Sequence, residues 1–265
     1  MGPVWLLLVT VIGAGSQPAC VAAASAPALD HAILAVADLD EAARGFSSHG
    51  FRLKAGRLHA NGLLNRHVKF RDGTSIELMT VRGAARDALA ADYSWLVQHA
   101  EGGVFVGLAI DDLGVVERAA TRSGLRAQQR ASGPARFLSF GSSSPAAAVF
   151  FMMPGPPVRD ADSLVTHTIK VDGLTEALVE GGEALENLLA AMGATQCGSA
   201  TAPDGRTGRR WTLSRGALVV VRPEHPDARA RVLGVVLRSS MPSQRVDTTV
   251  FPHPAFWIRA RSAAR

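Results

Sequence analysis

The sequence predicts an α+β protein made of repeats of one unit: a strand, a helix and then three strands. Three observations carry this. The segments Ala32 to Phe51 (AILAVADLDEAARGFSSHGF) and Val106 to Leu125 (VGLAIDDLGVVERAATRSGL) share one pattern of apolar strand, Asp-Leu, helical spacing and Gly plus apolar residue. Asp38 matches Asp112, Leu39 matches Leu113 and Gly50 matches Gly124, all at an offset of 74, and a fixed internal period points to a repeated fold unit. Finally, 265 residues with 47% hydrophobic and 19% charged side chains supply a packed core and exclude a mainly disordered chain.

The elements follow in chain order. Met1 to Leu29 carries no charged side chain, and Val4 to Ile12 is an apolar run of nine residues. A bilayer span needs about 20, so the run is expected to be the core of a signal peptide. The small residues Ala22, Ala23 and Ala24 place cleavage near Ala24, making 1–24 the leader and the product exported, periplasmic or secreted; without cleavage it would be cytoplasmic. Such a cut removes Cys20 and leaves Cys197 as a lone, buried thiol without an intramolecular disulfide.

In the first unit, Asp38 is placed to cap a helix, with Leu39, Ala42, Ala43 and Phe46 on one face. Strand-like runs then cover Phe51 to Leu53, Leu64 to Phe70 and Ser75 to Val81, the last two joined by an Asp72-Gly73 turn. Ala84 to Glu101 reads as a connecting helix stopped by Gly102 and Gly103. The second unit ends in strands over Ala135 to Phe140 and Ala147 to Met153, and the proline-rich Pro154 to Pro157 closes it. A looser third unit begins with a strand over Leu164 to Val171, followed by Asp172, a helix reaching Met192, and strands over Arg210 to Leu213 and Gly216 to Val221. Arg231 to Leu237 and Phe256 to Ala260 are the remnant of a fourth. The expected organisation is one paired-unit domain over 27–154, then the third and partial fourth units over 160–260.

The net charge is +5, and 25 of the 28 basic residues are arginine. Arg206, Arg209 and Arg210 cluster beside Trp211, and Arg259, Arg261 and Arg265 follow Trp257. With 6% aromatics and no reading helix or aromatic RNA platform, these read as a solvated surface, and no nucleic-acid partner is expected. The Gly-x-Ser-x-Gly elbow, the phosphate-cradling glycine loop and the His-Glu-x-x-His helix are all missing, which leaves hydrolase, kinase and zinc-protease readings without their chemical groups.

The run LDHAILAVADLDEAARGFSSHGF, followed by RLHANGLLNRHVKFRDGTSIELMTV and the second start GVFVGLAIDDL, resembles the glyoxalase-like domain of the vicinal oxygen chelate superfamily, which also holds bleomycin-resistance proteins and extradiol dioxygenases. The resemblance covers Leu29 to Pro154. It implies mixed sheets curled around a cleft that receives a small molecule, in a monomer or homodimer, with no membrane contact beyond the cleaved signal. It also implies a divalent metal, Fe, Mn, Ni or Zn, held by His31 and Glu77. His59, His67 or His167 would be the further ligand, with His167 on the third-unit strand. Glu77 and His59 would then be catalytic, and His59, Asn65, Phe105 and Phe151 would line the substrate site. Strand alternation agrees that His31, Ile33 and Ala35 share one face, as do Ser75, Glu77 and Met79. A pairing of Glu77 with Lys69 or Arg66 across the hairpin is the structural alternative.

The second unit departs from the pattern. Phe105 stands where the first has His31, and Phe150 or Phe151 where it has Glu77. Two functions remain open: a metal-dependent lyase, isomerase or dioxygenase acting on a chelating small molecule, or a metal-free protein of the same fold that binds and sequesters a small molecule.

Overall fold

The computed structural model describes residues 20–99, 102–132, 135–155, 159–202, 204–225, 229–239, 244–245 and 255–260. The first unit runs β1 (Ala28–Ala35), α1 (Leu39–Ser48), β2 (Lys54–Leu58), β3 (Leu63–Lys69) and β4 (Ser75–Val81). After α2 (Ala88–His99) come β5 (Gly102–Ala109), α3 (Leu113–Arg122), β6 (Ala127–Ser132), β7 (Ala135–Phe140) and β8 (Val149–Met152). A single turn, α4 (Asp162–Val165), precedes β9 (Val171–Glu180), α5 (Glu183–Ala191), β10 (Thr195–Thr201), β11 (Thr207–Thr212) and β12 (Ala217–Val221). The last described strands are β13 (Val232–Ser239), β14 (Gln244–Arg245) and β15 (Ala255–Ala260).

The strands form two open mixed sheets, ordered β2-β3-β4-β1-β5-β8-β7-β6 and β10-β11-β12-β9-β13-β15-β14. In each unit the last strand returns beside the first and runs parallel to it, as β4 does to β1, β8 to β5, and β12 to β9. The first strands of consecutive units pair antiparallel, β1 with β5 and β9 with β13.

Local chemistry explains why the helices start where they do. Asp38 Oδ1 accepts from the backbone N–H groups of Asp40 and Glu41 at 2.8 Å each, and Asp112 Oδ1 accepts from Gly114 N at 2.8 Å. Each cap satisfies donors that the first helical turn leaves free, a contribution of about 1 kcal/mol. Leu39, Ala42 and Phe46 of α1, Val116 and Ala120 of α3, and Leu185 and Leu188 of α5 then enter one core shared by the two sheets. The opposite face of the first sheet packs Ile33, Ala35 and Met79 against Ala90, Tyr93 and Leu96 of α2. This second surface is called the α2 face below.

Several sequence expectations are corrected. The β2 strand starts at Lys54 because Phe51 stays with α1, its ring 5.3 Å from that of Phe46. Gly102 and Gly103 open β5 instead of merely stopping α2. The third unit starts later: Leu164 to Lys170 lies in α4 and a turn, and the strand is β9, which begins at Val171. Glu176 and Glu180 break its apolar pattern, yet both are buried. Glu180 meets Arg206 at 2.8 Å and Arg231 at 3.4 Å, and Glu176 meets Arg210 at 3.3 Å. Arg209 reaches the buried Glu186 at 3.1 Å. Arg206, Arg209 and Arg210 are therefore counter-ions for buried carboxylates, not a merely solvated patch. The polar strands β6 (AQQRAS) and β10 (TQCGSAT) carried no apolar alternation to reveal them. Most consequential is a disulfide between Cys20 and Cys197, which contradicts the reading of Cys197 as a lone thiol. Arg259 and Trp257 lie on β15, while Arg261 and Arg265 lie outside the described residues.

Removing one partner of a buried ion pair strands the other's charge. Glu180→Ala, however, leaves Arg206 its Asp204 partner and Arg231 half-exposed, so it is expected to cost about 1 kcal/mol. Urea denaturation would show this as a lower midpoint at unchanged slope.

Candidate functional site

Register decides which polar groups reach the α2 face. Parallel pairing sets Ile33 opposite Glu77 and His31 opposite Ser75, while the β3–β4 hairpin sets His67 opposite Glu77 and Asn65 opposite Met79. Because side chains alternate, His31, Asn65, His67 and Glu77 fall on one surface with Ile33, Ala35 and Met79. The Glu77 side chain is only 11% exposed and that of His31 12%.

Glu77 is the centre of a hydrogen-bonded group. Asn65 Nδ2 donates to its Oε1 at 2.6 Å, His67 Nε2 lies 3.9 Å from the same oxygen, and His31 Nε2 lies 3.7 Å from Oε2. Asp30 Oδ1 sits 2.6 Å from His31 Nδ1. A carboxylate only accepts, so Nδ1 carries a proton.

Asn65 is itself fixed. Its Oδ1 accepts from Arg57 N at 2.9 Å, across a register shift in the β2–β3 pairing. Gly56 makes the crossing possible, since a Cβ there would lie 2.0 Å from Asn65 Oδ1 and 2.1 Å from its carbonyl oxygen. Gly107 does the same for His31: a Cβ would fall 2.7 Å from His31 Cε1 and 2.9 Å from Phe150 Cζ.

Burial sets the electrostatics. The His67 imidazole is pushed down to about 4 by burial, against which the Glu77 charge pulls upward, so it is neutral at pH 7. His59 is lowered by burial and by Arg57, and Glu77 is near enough to oppose this. Tyr93 is held well above the usual phenol range by burial and then by Glu77. Burial would raise Asp30, but the His31 hydrogen bond, together with the charges of His31, Arg215 and Lys69, holds it below its ordinary value.

The second unit presents aromatic rings to the same surface. At the offset of 74, Phe105 takes the place of His31 and Gly107 that of Ile33. Gly107 pairs with Phe150 as Ile33 pairs with Glu77, so Phe150 takes the place of Glu77. The Phe150 ring stands edge-on to His31 at 5.4 Å and to Phe137 at 5.8 Å, and Phe105 meets Tyr93 at 5.6 Å. Phe151 points the other way and is fully buried in the shared core.

In the third unit, Leu178 pairs with Val219, and Val219 with Arg210. The same positions thus hold Glu176, Arg210 and Val219, and the Glu176–Arg210 pair closes on itself.

His167 is not brought to this group. It lies in the turn before β9, where Nδ1 accepts from Arg52 N at 2.9 Å and Nε2 faces the Lys69 carbonyl at 2.9 Å. Its ring sits between Phe51 and Phe70, so both nitrogens tie the turn to the first sheet. His59 lies in the β2–β3 connection, with its Nε2 buried and unbonded. Sequence reasoning gave Asp30, Tyr93 and Phe137 no part in the site. For Asp30 the signal was its place directly before His31.

His31 Nε2 and Glu77 Oε2 are close enough to share an ion at ~2.1 Å from each. His67 Nε2 lies against the other Glu77 oxygen, 3.9 Å from Oε1. Phe105 and Phe150 hold the equivalent places, Asn65 Oδ1 is committed to Arg57, and no three His, Cys, Asp or Glu among the described residues are arranged to hold an ion. The residues present do not fit a metal centre with three protein ligands.

Two cavities of about 620 and 600 Å³ flank the Arg66–Asp40 pair along α1, the first bordered by Arg44 and Arg52 and the second by Arg82. Neither is lined by His31, His67 or Glu77. The α2 face remains the stronger candidate, because a carboxylate inside an apolar sheet is costly unless something answers it.

Comparison with known proteins agrees with this architecture. Residues 29–175 match the family described as glyoxalase-like domain. No curated protein matches the sequence. Among solved structures, a hypothetical protein from Staphylococcus aureus superposes with a TM-score of 0.62 at 11% identity, covering 89% of this chain and 99% of that one. A mutant of 4-hydroxymandelate synthase from Streptomyces coelicolor gives 0.59 at 14% identity, over 91% and 94% of the two chains. Homoprotocatechuate 2,3-dioxygenase from Arthrobacter globiformis gives 0.57 at 11%, over 92% and 82%. At these identities the likeness is one of fold, and it spans both sheets.

Two outcomes test the geometry. In an NMR titration His67 should change protonation near pH 4, and Glu77→Gln should move the transition lower, because the carboxylate is what raises it. The folded value lies below the 6.5 of the free side chain, so the unfolded chain binds the proton first. This contribution is fully present above about pH 6.5 and is lost as pH falls toward 4, by up to about 3 kcal/mol. Separately, Gly56→Ala should destabilise by about 2 kcal/mol in urea denaturation, as Asn65 is forced from its place.

Proposed function

The chain belongs to the glyoxalase-like domain family of the vicinal oxygen chelate superfamily, and from that premise we propose that it binds a small hydroxylated aromatic molecule on the α2 face without a resident metal. One observation carries this reading: the buried Glu77 carboxylate and the His31 imidazole, 3.7 Å apart, stand beside the Phe105 and Phe150 rings. A ligand hydroxyl would donate to the Glu77 carboxylate. Hydrogen bonds to a charged acceptor are worth about 1.5–3 kcal/mol each. The ligand ring would meet Phe150 and Phe137 edge-on, at about 0.5–1.5 kcal/mol per pair. Asp30 holds the His31 tautomer, Asn65 holds the carboxylate, and neutral His67 adds no competing charge.

The short His31–Glu77 distance also supports a second reading, a metal-dependent lyase, isomerase or dioxygenase acting on a chelating substrate. There His31 and Glu77 would hold a divalent ion that supplies Lewis acidity when bound, and Glu77 and His59 would move protons.

One set of measurements separates the two. The protein is reconstituted with Fe(II), Mn, Ni and Zn, its metal content is measured beside a His31→Ala/Glu77→Ala double variant, and catechol and phenol are titrated in by calorimetry. The binding reading expects no stoichiometric metal and saturable catechol binding, weakened about tenfold or more by Phe150→Ala and by Glu77→Gln, a loss of about 1.4 kcal/mol. One equivalent of metal that the double variant loses transfers the case to the enzyme. Failure of the wild type to bind either phenol removes the proposed ligand class.

A further inference from the structure

The residues ahead of β1 are seated on the opposite half of the molecule. Cys20 is bonded to Cys197 on β10, 177 positions away. Ala23 N donates to Gly193 O at 3.0 Å, Thr195 Oγ1 donates to Val21 O at 3.1 Å, and Ser214 N donates to Pro27 O at 3.1 Å. Gly193, just past α5, is approached so closely that a Cβ would lie 2.9 Å from Ala23 Cβ. Residues 20–27 thus form a strap over the corner between α5 and β10, and the chain then enters the other sheet through β1. A cut after Ala24 would discard Cys20, Val21 and Ala23, and with them the disulfide and two of the three hydrogen bonds.

We propose that the leader is removed on the amino-terminal side of Cys20, and that the Cys20–Cys197 disulfide, closed in an oxidising compartment, latches the strap to the second sheet. Small residues suited to the −3 and −1 positions occur at Ala14 and Ser16, directly after the apolar run that ends at Ile12. Hydrolysis there breaks the Ser16–Gln17 amide; water gives its hydroxyl to the Ser16 carboxyl and its hydrogen to the Gln17 amine. Closing the latch removes two protons and two electrons from the two thiols. The oxidant is a disulfide-bearing thiol oxidase of that compartment, which is reduced to its dithiol. In a reducing cytoplasm both cysteines would stay thiols.

The test uses the full chain expressed in a Gram-negative host that exports proteins. The product is sequenced from its amino terminus and alkylated before and after reduction. A mature chain that begins between Gln17 and Cys20, with both thiols protected until reduction, is the expected result. A chain beginning at Ser25, a chain kept whole in the cytoplasm, or thiols that react without reduction would each overturn the proposal. Cys20→Ser and Cys197→Ser should each lower the melting temperature by about 5 °C, and the double variant by no more than either alone. A double variant that loses the sum of the two would mean that the cysteines act separately, which also defeats the latch.

Discussion

Parallel pairing of β4 with β1 sets Glu77, on the last strand of the first unit, opposite Ile33 on the first strand and within reach of His31. Adjacent parallel strands cannot be joined by a tight turn, so the chain must leave β1, cross through α1, and return by way of β2 and β3. That route is what delivers Asn65 and His67 to the Glu77 carboxylate, because β3 is the antiparallel neighbour of β4. The crossing helix lands on the other side of the sheet, where it joins the core shared with the second sheet. The α2 face is left to the linking helix and to the polar cluster.

The same pairing recurs in later units, so equivalent positions recur while their chemistry diverges. The first unit sets a carboxylate among two imidazoles and an amide. The second substitutes phenyl rings, whose burial needs no partner. The third places Glu176 against Arg210, an ion pair that neutralises itself and asks for nothing from outside. Buried pairs of this kind add little net stability, yet breaking one is expensive. The cluster of Glu180, Arg206 and Arg231 extends the same logic along β9.

What the sequence disclosed was mostly local. Asp38 and Asp112 cap their helices in a way readable from neighbouring residues, and the Asp72-Gly73 turn announced the β3–β4 hairpin that places Asn65 and His67. Features set by distant partners stayed hidden. Glu176 and Glu180 look like helix residues until Arg210 and Arg206, some 30 positions on, are known to neutralise them, and this shifted the third-unit strand onto residues that form α4 and carried His167 with it. The choice between Phe150 and Phe151 turned on strand phase, where one residue exchanges the two faces. Ala22 to Ala24 satisfied a cleavage pattern through their small size, and that same smallness lets Ala23 lie against Gly193.

The charge state of the α2 face separates it from the rest of the molecule. Among the described residues, no lysine or arginine comes within ion-pair distance of Glu77. Lys69 turns instead to Ser75 Oγ at 3.3 Å, and Lys54 pairs with Asp160. The groups that do approach Glu77 are an amide and imidazoles, of which His67 is neutral at pH 7. Neutral dipoles orient a carboxylate without cancelling its charge, whereas a guanidinium would do both, as it does for Glu176. A carboxylate that is only 11% exposed costs folding free energy unless its partners answer it. The same low-dielectric setting strengthens any donor that reaches it. The first unit therefore holds, at a standing cost in stability, an acceptor for which the fold itself provides only partial answers.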